Sequence, residues 1–344
     1  MKEINVDIIH DELFKEKPLL AYSESNDYLT WKKQIEEKYL EFLGMKVIEE
    51  NICDLNPEIE SVEEFDEYTK VRYVFESEKN SLVPAYLLIP KLGKKKYPLL
   101  IALQGHTTGF HISLGISKYP NIDPRYIDTH DYGVYAAKQG FITLCIEQRG
   151  MGERTTKKDI RQPALQCGCY HTAMTALLLG RTIIGERVWD VHRSIDSLKE
   201  LKQYKDLCDF DDITVLGHSG GGTATYYAAC YDKRIKMAIS SCSISTYKDS
   251  IGDYWHCSCN YIPNIARYMD MGELACLIAP RKLIIINGEE DKIFPLEGAK
   301  QVYSTIEKIY EKEGAKNNCR FVIIPEKPHY FDKNLTFSAI KDLR

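Results

Sequence analysis

The chain has 344 residues and a hydrophobic content of 44%, enough apolar material to bury one large core with elaborations. Its net charge of −5, with no basic block beyond Lys94-Lys95-Lys96, gives no support for a nucleic-acid surface. No apolar run reaches the roughly eighteen residues of a membrane-spanning helix, and residues 1–11 alternate charged and apolar side chains unlike a secretion signal, so a cytoplasmic location is expected.

Residues 1–68 read as a helical extension packed on the main domain, with a share in homo-oligomer contacts left open. Within it, 28–43 carries Leu29, Ile35, Tyr39, Phe42 and Leu43 at helical spacing. The acidic stretch 51–65, with Pro57, reads as a connector. From 69 onward the pattern is strands alternating with helices. Strands are expected at 71–75 and 82–90, then at 98–103, whose unbroken apolar run suits a strand covered on both faces. A helix at 132–138 closes at Gly140 and a strand follows at 141–146. Residues 154–186 hold a first insertion, polar and irregular at its start and long for a strand-to-helix connection. Helices at 174–179 and 188–204 follow, the second with Val191, Ile195, Leu198 and Leu201 on one face. Strands at 212–216 and 235–239 precede a second insertion, 246–280, rich in aromatic residues and cysteine. A strand at 283–286, a helix at 296–313, a strand at 321–324 and a short helix complete the chain. This alternation predicts an α/β fold: a central, mostly parallel sheet with helices on both faces, carried by 69–344. Its conspicuous polar residues fall just after strand C-termini, where open parallel sheets bind ligands.

Gly217-His218-Ser219-Gly220-Gly221 fits Gly-x-Ser-x-Gly between an apolar strand and a helical run. The serine of such a turn is strained and exposed, and the flanking glycines allow the backbone to approach closely. A serine hydroxyl needs a base, and the base needs a carboxylate to fix its tautomer. His329, in the loop after the last strand, is the expected base. Asp291, in the loop after the 283–286 strand, is the expected acid, ahead of its neighbours Glu289 and Glu290. His218 adjoins the serine but should point elsewhere. The oxyanion would be held by the N–H of Gly220 together with that of His106, or of Thr107, in the Gln104-Gly105-His106-Thr107 loop. Arg149 and Glu153 flank the Gly150-Met151-Gly152 turn; they read first as an ion-paired brace and second as substrate contacts. Trp255 and His256 read as part of a lid or pocket wall.

Eleven cysteines are many for this length. Cys167-Gly168-Cys169 and Cys257-Ser258-Cys259, with His171 and His256 near them, read first as reduced thiols packing two loops. A disulfide or a zinc site is the lesser reading, because C-x-C is tighter than the C-x2-C knuckle. No cofactor and no metal is expected.

The elbow at Ser219, the Gln104-Gly105-His106 loop, Glu147-Gln148-Arg149-Gly150, the Gly288–Asp291 loop and His329 together resemble the α/β-hydrolase superfamily. Within it, the chain is similar to the dienelactone-hydrolase-like and acetyl-xylan-esterase-like branch, over roughly residues 70–344. The resemblance implies cofactor-free ester hydrolysis through an acyl-enzyme, with a short-acyl ester, including acylated carbohydrate, as substrate. It also places the second oxyanion donor just after the loop glycine, at His106. Two positions depart from the branch: Gln104-Gly105 stands where His-Gly is common, and Gly150 is followed by Met151 rather than glutamine. Two other readings compete. One is a serine peptidase of the prolyl-oligopeptidase kind, for which the N-terminal extension is too short to supply a propeller. The other is a non-catalytic binding protein, against which the intact Ser, Asp and His speak.

Overall fold

The computed structural model describes residues 4–119, 124–158 and 167–344; the middle of the first insertion lies outside them. Nine strands form one sheet in the order β1-β2-β3-β5-β4-β6-β7-β8-β9. They are β1 (Glu58–Glu64), β2 (Tyr68–Glu78), β3 (Ser81–Pro90), β4 (Tyr97–Leu103), β5 (Ile142–Ile146), β6 (Cys208–His218), β7 (Ile235–Ser241), β8 (Lys282–Gly288) and β9 (Cys319–Ile324). The pairs from β1 to β3, and β3 with β5, are antiparallel; β5 through β9 run parallel. This is the α/β-hydrolase fold.

The helices are α1 (Asp7–Lys15), α2 (Tyr28–Leu43), α3 (Met45–Glu49), α4 (Pro124–His130), α5 (Tyr132–Lys138), α6 (Cys169–Leu178), α7 (Ile183–Glu200), α8 (Gly220–Tyr231), α9 (Ile265–Tyr268), α10 (Leu296–Lys312) and α11 (Lys333–Leu343). They cover both faces of the sheet, and the strands show why. In β4, Leu99, Ile101 and Leu103 enter the core shared with α2, α7 and α8, while Leu100 and Ala102 enter the core shared with α5 and α11. In β8, Leu283 and Ile285 divide from Ile284 and Ile286 in the same way. Period-two alternation in a wholly apolar strand thus feeds two cores at once.

In α2 the buried face runs through Trp31, Ile35, Tyr39, Phe42 and Leu43, with Leu29 left exposed. The expected face was therefore displaced at its start: Trp31, whose indole donates to the Leu20 carbonyl at 2.8 Å, is the first anchor. Tyr39 donates to the Tyr227 carbonyl at 2.6 Å, which fastens the helix to α8. The acidic connector also needs correction. From Glu58 it forms β1, a largely exposed edge strand paired with β2, where main-chain hydrogen bonding rather than an apolar face defines the strand.

From β4 the chain continues to β5 on one side, while β6 lies on the other. The loops after β4 and β6 therefore diverge and leave a crevice at the C-terminal edge of the sheet, the position favoured for ligands in such sheets.

Candidate active site

Ser219 sits between the end of β6 and the start of α8 with φ 55° and ψ −124°, a left-handed backbone that only a well-supported turn maintains. The support is local. Its N–H donates to the Ser241 carbonyl of β7 at 2.8 Å. A Cβ at Gly217 would lie 2.2 Å from the Gly221 carbonyl oxygen, and one at Gly221 would lie 2.0 Å from that of Leu103. Glycine at those two positions is thus a steric requirement of the turn, whatever chemistry the serine performs.

The loop after β4 closes on this elbow. A Cβ at Gly105 would stand 3.2 Å from Ser219 Cβ, and one at Gly220 would stand 2.6 Å from the His106 ring. The structure thus brings Gly220 and His106 together beside the serine. Thr107 is buried in the same loop, its hydroxyl directed to the Gly105 carbonyl at 3.4 Å.

His329 Nδ1 and Asp291 Oδ2 are 2.8 Å apart. Asp291 is buried, and its Oδ1 accepts the N–H groups of Ile293 at 2.8 Å and Phe294 at 3.1 Å. Its carboxylate plane is thereby fixed, with Oδ2 left for the imidazole. Glu289 and Glu290 are exposed, and Glu289 is occupied with the N–H of Glu326. The His329 ring lies against His218, the residue before the serine, with centroids 4.9 Å apart, and stacks on Phe294. Its hydrogen bond is to Asp291, and none joins it to Ser219 Oγ among the described residues. His218 is buried, contacts Ser241 Oγ through Nδ1, and is held neutral by burial and by the neighbouring His329 and His130.

Arg149 and Glu153 take the first of their two readings, as ion-paired braces. Arg149 is committed to Glu78, Glu186 and Asp190 in a buried ion network, which makes it a brace. Glu153 pairs with Arg72 at 2.7 Å and Lys118 at 2.6 Å, and its charge is likewise taken up. His256 is buried, with Nε2 at 2.9 Å from Ser250 Oγ and 3.1 Å from the Ile293 carbonyl, and it packs edge-on against Phe294. It supports the acid loop rather than meeting a ligand. Trp255, by contrast, is 76% exposed and adjoins His256 in sequence, which puts it within the insertion that flanks the acid–base pair.

Glu147, which the sequence offered only as part of the Glu147-Gln148-Arg149-Gly150 stretch with no role of its own, ties two loops together. Buried after β5, it accepts Gln104 Nε2 at 2.7 Å, the N–H of Phe110 at 3.1 Å and the N–H of Glu153 at 3.2 Å. It so ties the loop after β4 to the loop after β5, and burial pushes its carboxyl up to about 8. A cavity of about 480 Å³ lies elsewhere, under α1, lined by residues such as Phe14, Tyr247 and Asp270; none of Ser219, Asp291 and His329 lines it.

Comparison with known proteins agrees with this architecture. A family model described as the alpha/beta hydrolase fold matches residues 130–255, a span that holds the elbow but neither Asp291 nor His329. The protein named "Putative hydrolase YtaP" of Bacillus subtilis (strain 168) is 25% identical over 291 residues, covering 82% of this chain and 90% of its own. Among solved structures, a Bacteroides fragilis NCTC 9343 protein described as a putative acetyl xylan esterase superposes with a TM-score of 0.77 at 16% identity, over 100% of this chain and 96% of that one. Acetyl xylan esterase 1 from Thermoanaerobacterium sp. JW/SL YS485 gives 0.57 at 16% identity, over 99% and 98% of the two chains. A glucuronoyl esterase from Solibacter usitatus gives 0.63 at 14% identity, over 95% and 96%. The chain has the α/β-hydrolase fold, and it is similar in fold to structures described as acetyl xylan and glucuronoyl esterases.

Proposed function

We propose that the protein is a serine carboxylic ester hydrolase acting through an acyl-enzyme, with Ser219 as nucleophile, His329 as base and Asp291 as the acid that orients it. The observation that carries this reading is the Asp291–His329 hydrogen bond, with the His329 ring against His218, the residue before the strained Ser219. In the mechanism His329 takes the proton of Ser219 Oγ as the oxygen attacks the ester carbonyl. The oxyanion would be met by the N–H groups of Gly220 and His106, residues that pack together beside the serine. His329 then protonates the departing alcohol, and water, activated by the same imidazole, releases the acid.

A short-acyl ester on a carbohydrate is the substrate class we favour. Supporting it are the names of the structural relatives, which include acetyl xylan and glucuronoyl esterases, and the exposed Trp255, next in sequence to the His256 that packs on Phe294 and suited to stacking on a sugar ring. Replacing Trp255 by Ala should raise KM severalfold for acetylated xylooligosaccharides and leave 4-nitrophenyl acetate nearly unchanged; an equal effect on both would remove the tryptophan from sugar recognition. A reducing, cytoplasmic setting fits the eleven unbridged cysteines. No described helix is long and apolar enough to cross a membrane.

The test is labelling with a serine-reactive fluorophosphonate together with turnover of esters graded in acyl length. Ser219→Ala should lose the label and on the order of 10⁴ or more of the rate while remaining folded. Equal ester turnover by wild type and variant would end the proposal.

A further inference from the structure

The loops after β4, β5 and β7, far apart in sequence, bring four soft ligand atoms to one point. His106, Cys169, Cys257 and Cys259 each offer one ligand atom, and these atoms all lie within 4.8 Å of one another. His106 Nε2 stands 3.1 Å from Cys259 Sγ. Cys169 and Cys259 are buried, Cys257 and His106 half-buried, and all the thiols are unbridged. The set differs from the one the sequence suggested. Its histidine is neither His171 nor His256 but His106, delivered by the loop after β4. Only one thiol of the Cys167–Cys169 pair belongs to it, so the tight C-x-C spacing is retained only at Cys257 and Cys259, whose two thiols both reach the cluster. In a tetrahedral zinc site with Zn–S of about 2.3 Å, neighbouring sulfurs lie about 3.8 Å apart, a spacing this cluster can adopt with small side-chain shifts.

Arg187 supplies an independent observation. Its side chain is only 1% exposed. It donates to the Arg149 carbonyl at 2.8 and 3.1 Å and to Cys169 Sγ at 3.1 Å, and its Nη1 has no partner. Among the described residues no carboxylate pairs with it, although Arg149, Arg154 and Arg181 nearby all have acidic partners. A guanidinium buried without a counter-ion is unfavourable. Three thiolates and one neutral imidazole around a divalent cation carry a net charge of −1, and that charge would sit against Arg187.

We infer that His106, Cys169, Cys257 and Cys259 bind one structural zinc ion, with Arg187 as the cation that balances the site. Binding releases three thiol protons to solvent as three Zn–S bonds and one Zn–N bond form, with no change of oxidation state. Three thiolates and an imidazole are the donor set that suits zinc. Four protein ligands close the coordination sphere, so the ion leaves no position for substrate and takes no part in ester cleavage. Its work is to pin the two insertions to the loop whose His106 ring packs on Gly220, the first residue after the nucleophile. The inference does not depend on the esterase reading.

Elemental analysis of the full-length protein, purified without chelators, should find about one zinc per chain. The same value is expected in Ser219→Ala, which separates this proposal from the catalytic one. Cys169→Ser and Cys259→Ser should each lose most of the metal, whereas Cys53→Ser, outside the cluster, should keep it. Should those variants fail to fold, cobalt(II) exchanged into the wild type gives a second measurement: a thiolate charge-transfer band and intense tetrahedral d–d bands. Wild-type protein with no bound metal that also takes up no zinc on titration would overturn the assignment. So would a disulfide among these cysteines in freshly purified protein, or stoichiometric zinc in folded Cys169→Ser and Cys259→Ser.

Discussion

At the scale of single residues, Asp291 differs from Glu289 and Glu290 by burial and by what fixes it. Two main-chain N–H groups hold one of its oxygens and leave the other for His329. Asn at this position would keep the main-chain bonds through its carbonyl but would present an amide donor to the ring, imposing the wrong tautomer. Asp291→Asn should therefore lower kcat on a short-acyl ester by about 10³–10⁴ with the fold intact, while Glu290→Gln stays within about twofold. Comparable losses in both would mean that the acid had been misassigned. Ser219, Asp291 and His329 stood out in the sequence because each belongs to a short loop after an apolar strand, and loop order constrains them. Arg149 could be read as a brace, but neither its partners nor the packing of His256 could be named, since a sequence gives a charged or aromatic side chain but not the partner that occupies it.

At the scale of elements, the covered strands could be read in advance, because a wholly apolar run has few alternatives to a buried strand. Glu58–Glu64 could not: its burial is slight and its pairing comes from the β2 main chain. The coupling of loops was equally hidden. Glu147 joins the loop after β4 to the loop after β5, and its carboxyl is raised by burial to about 8 against an ordinary value near 4.5. The native state therefore retains a proton that the unfolded chain gives up. That contribution to stability is complete below about pH 4.5 and is lost as pH rises through about 8. In that window it makes stability fall by at most about 1.4 kcal/mol per pH unit. Asp270, also raised by burial, to about 7, adds to the same trend. The Glu147→Gln variant isolates the first group: urea unfolding at about pH 5, 6.5 and 8 should show a shallower decline than in wild type. An unchanged slope would mean that Glu147 is ionised throughout.

At the scale of the whole molecule, the N-terminal hairpin of β2 and β3 is joined to the hydrolase body by charge as well as by sheet pairing. Glu78 at the end of β2 meets Arg149 and Arg181, while Glu186 and Asp190 of α7 meet Arg149, Arg154 and Arg181. Three cations face three anions, so the network is neutral, and its members sit in three separate stretches of chain. Nothing in local sequence announces such a convergence. Asp190 is its hub: 1% exposed, bonded to Ser77, Arg149 and Arg154, and, although burial alone would raise its carboxyl, drawn down to about 2 by the two arginines. Because desolvation is already complete there, removing one charge strands its partners, which costs about 3–5 kcal/mol. The Arg72–Glu153 pair, with side chains 20% and 22% exposed, remains in contact with water and should contribute about 1 kcal/mol or less. Urea unfolding of Asp190→Asn against Glu153→Gln compares the two directly. A loss of several kcal/mol in the first and little in the second is expected. Similar small losses in both would mean that the buried network relaxes around a missing charge, and that the hairpin is held to the body by the β3–β5 pairing and the shared core instead.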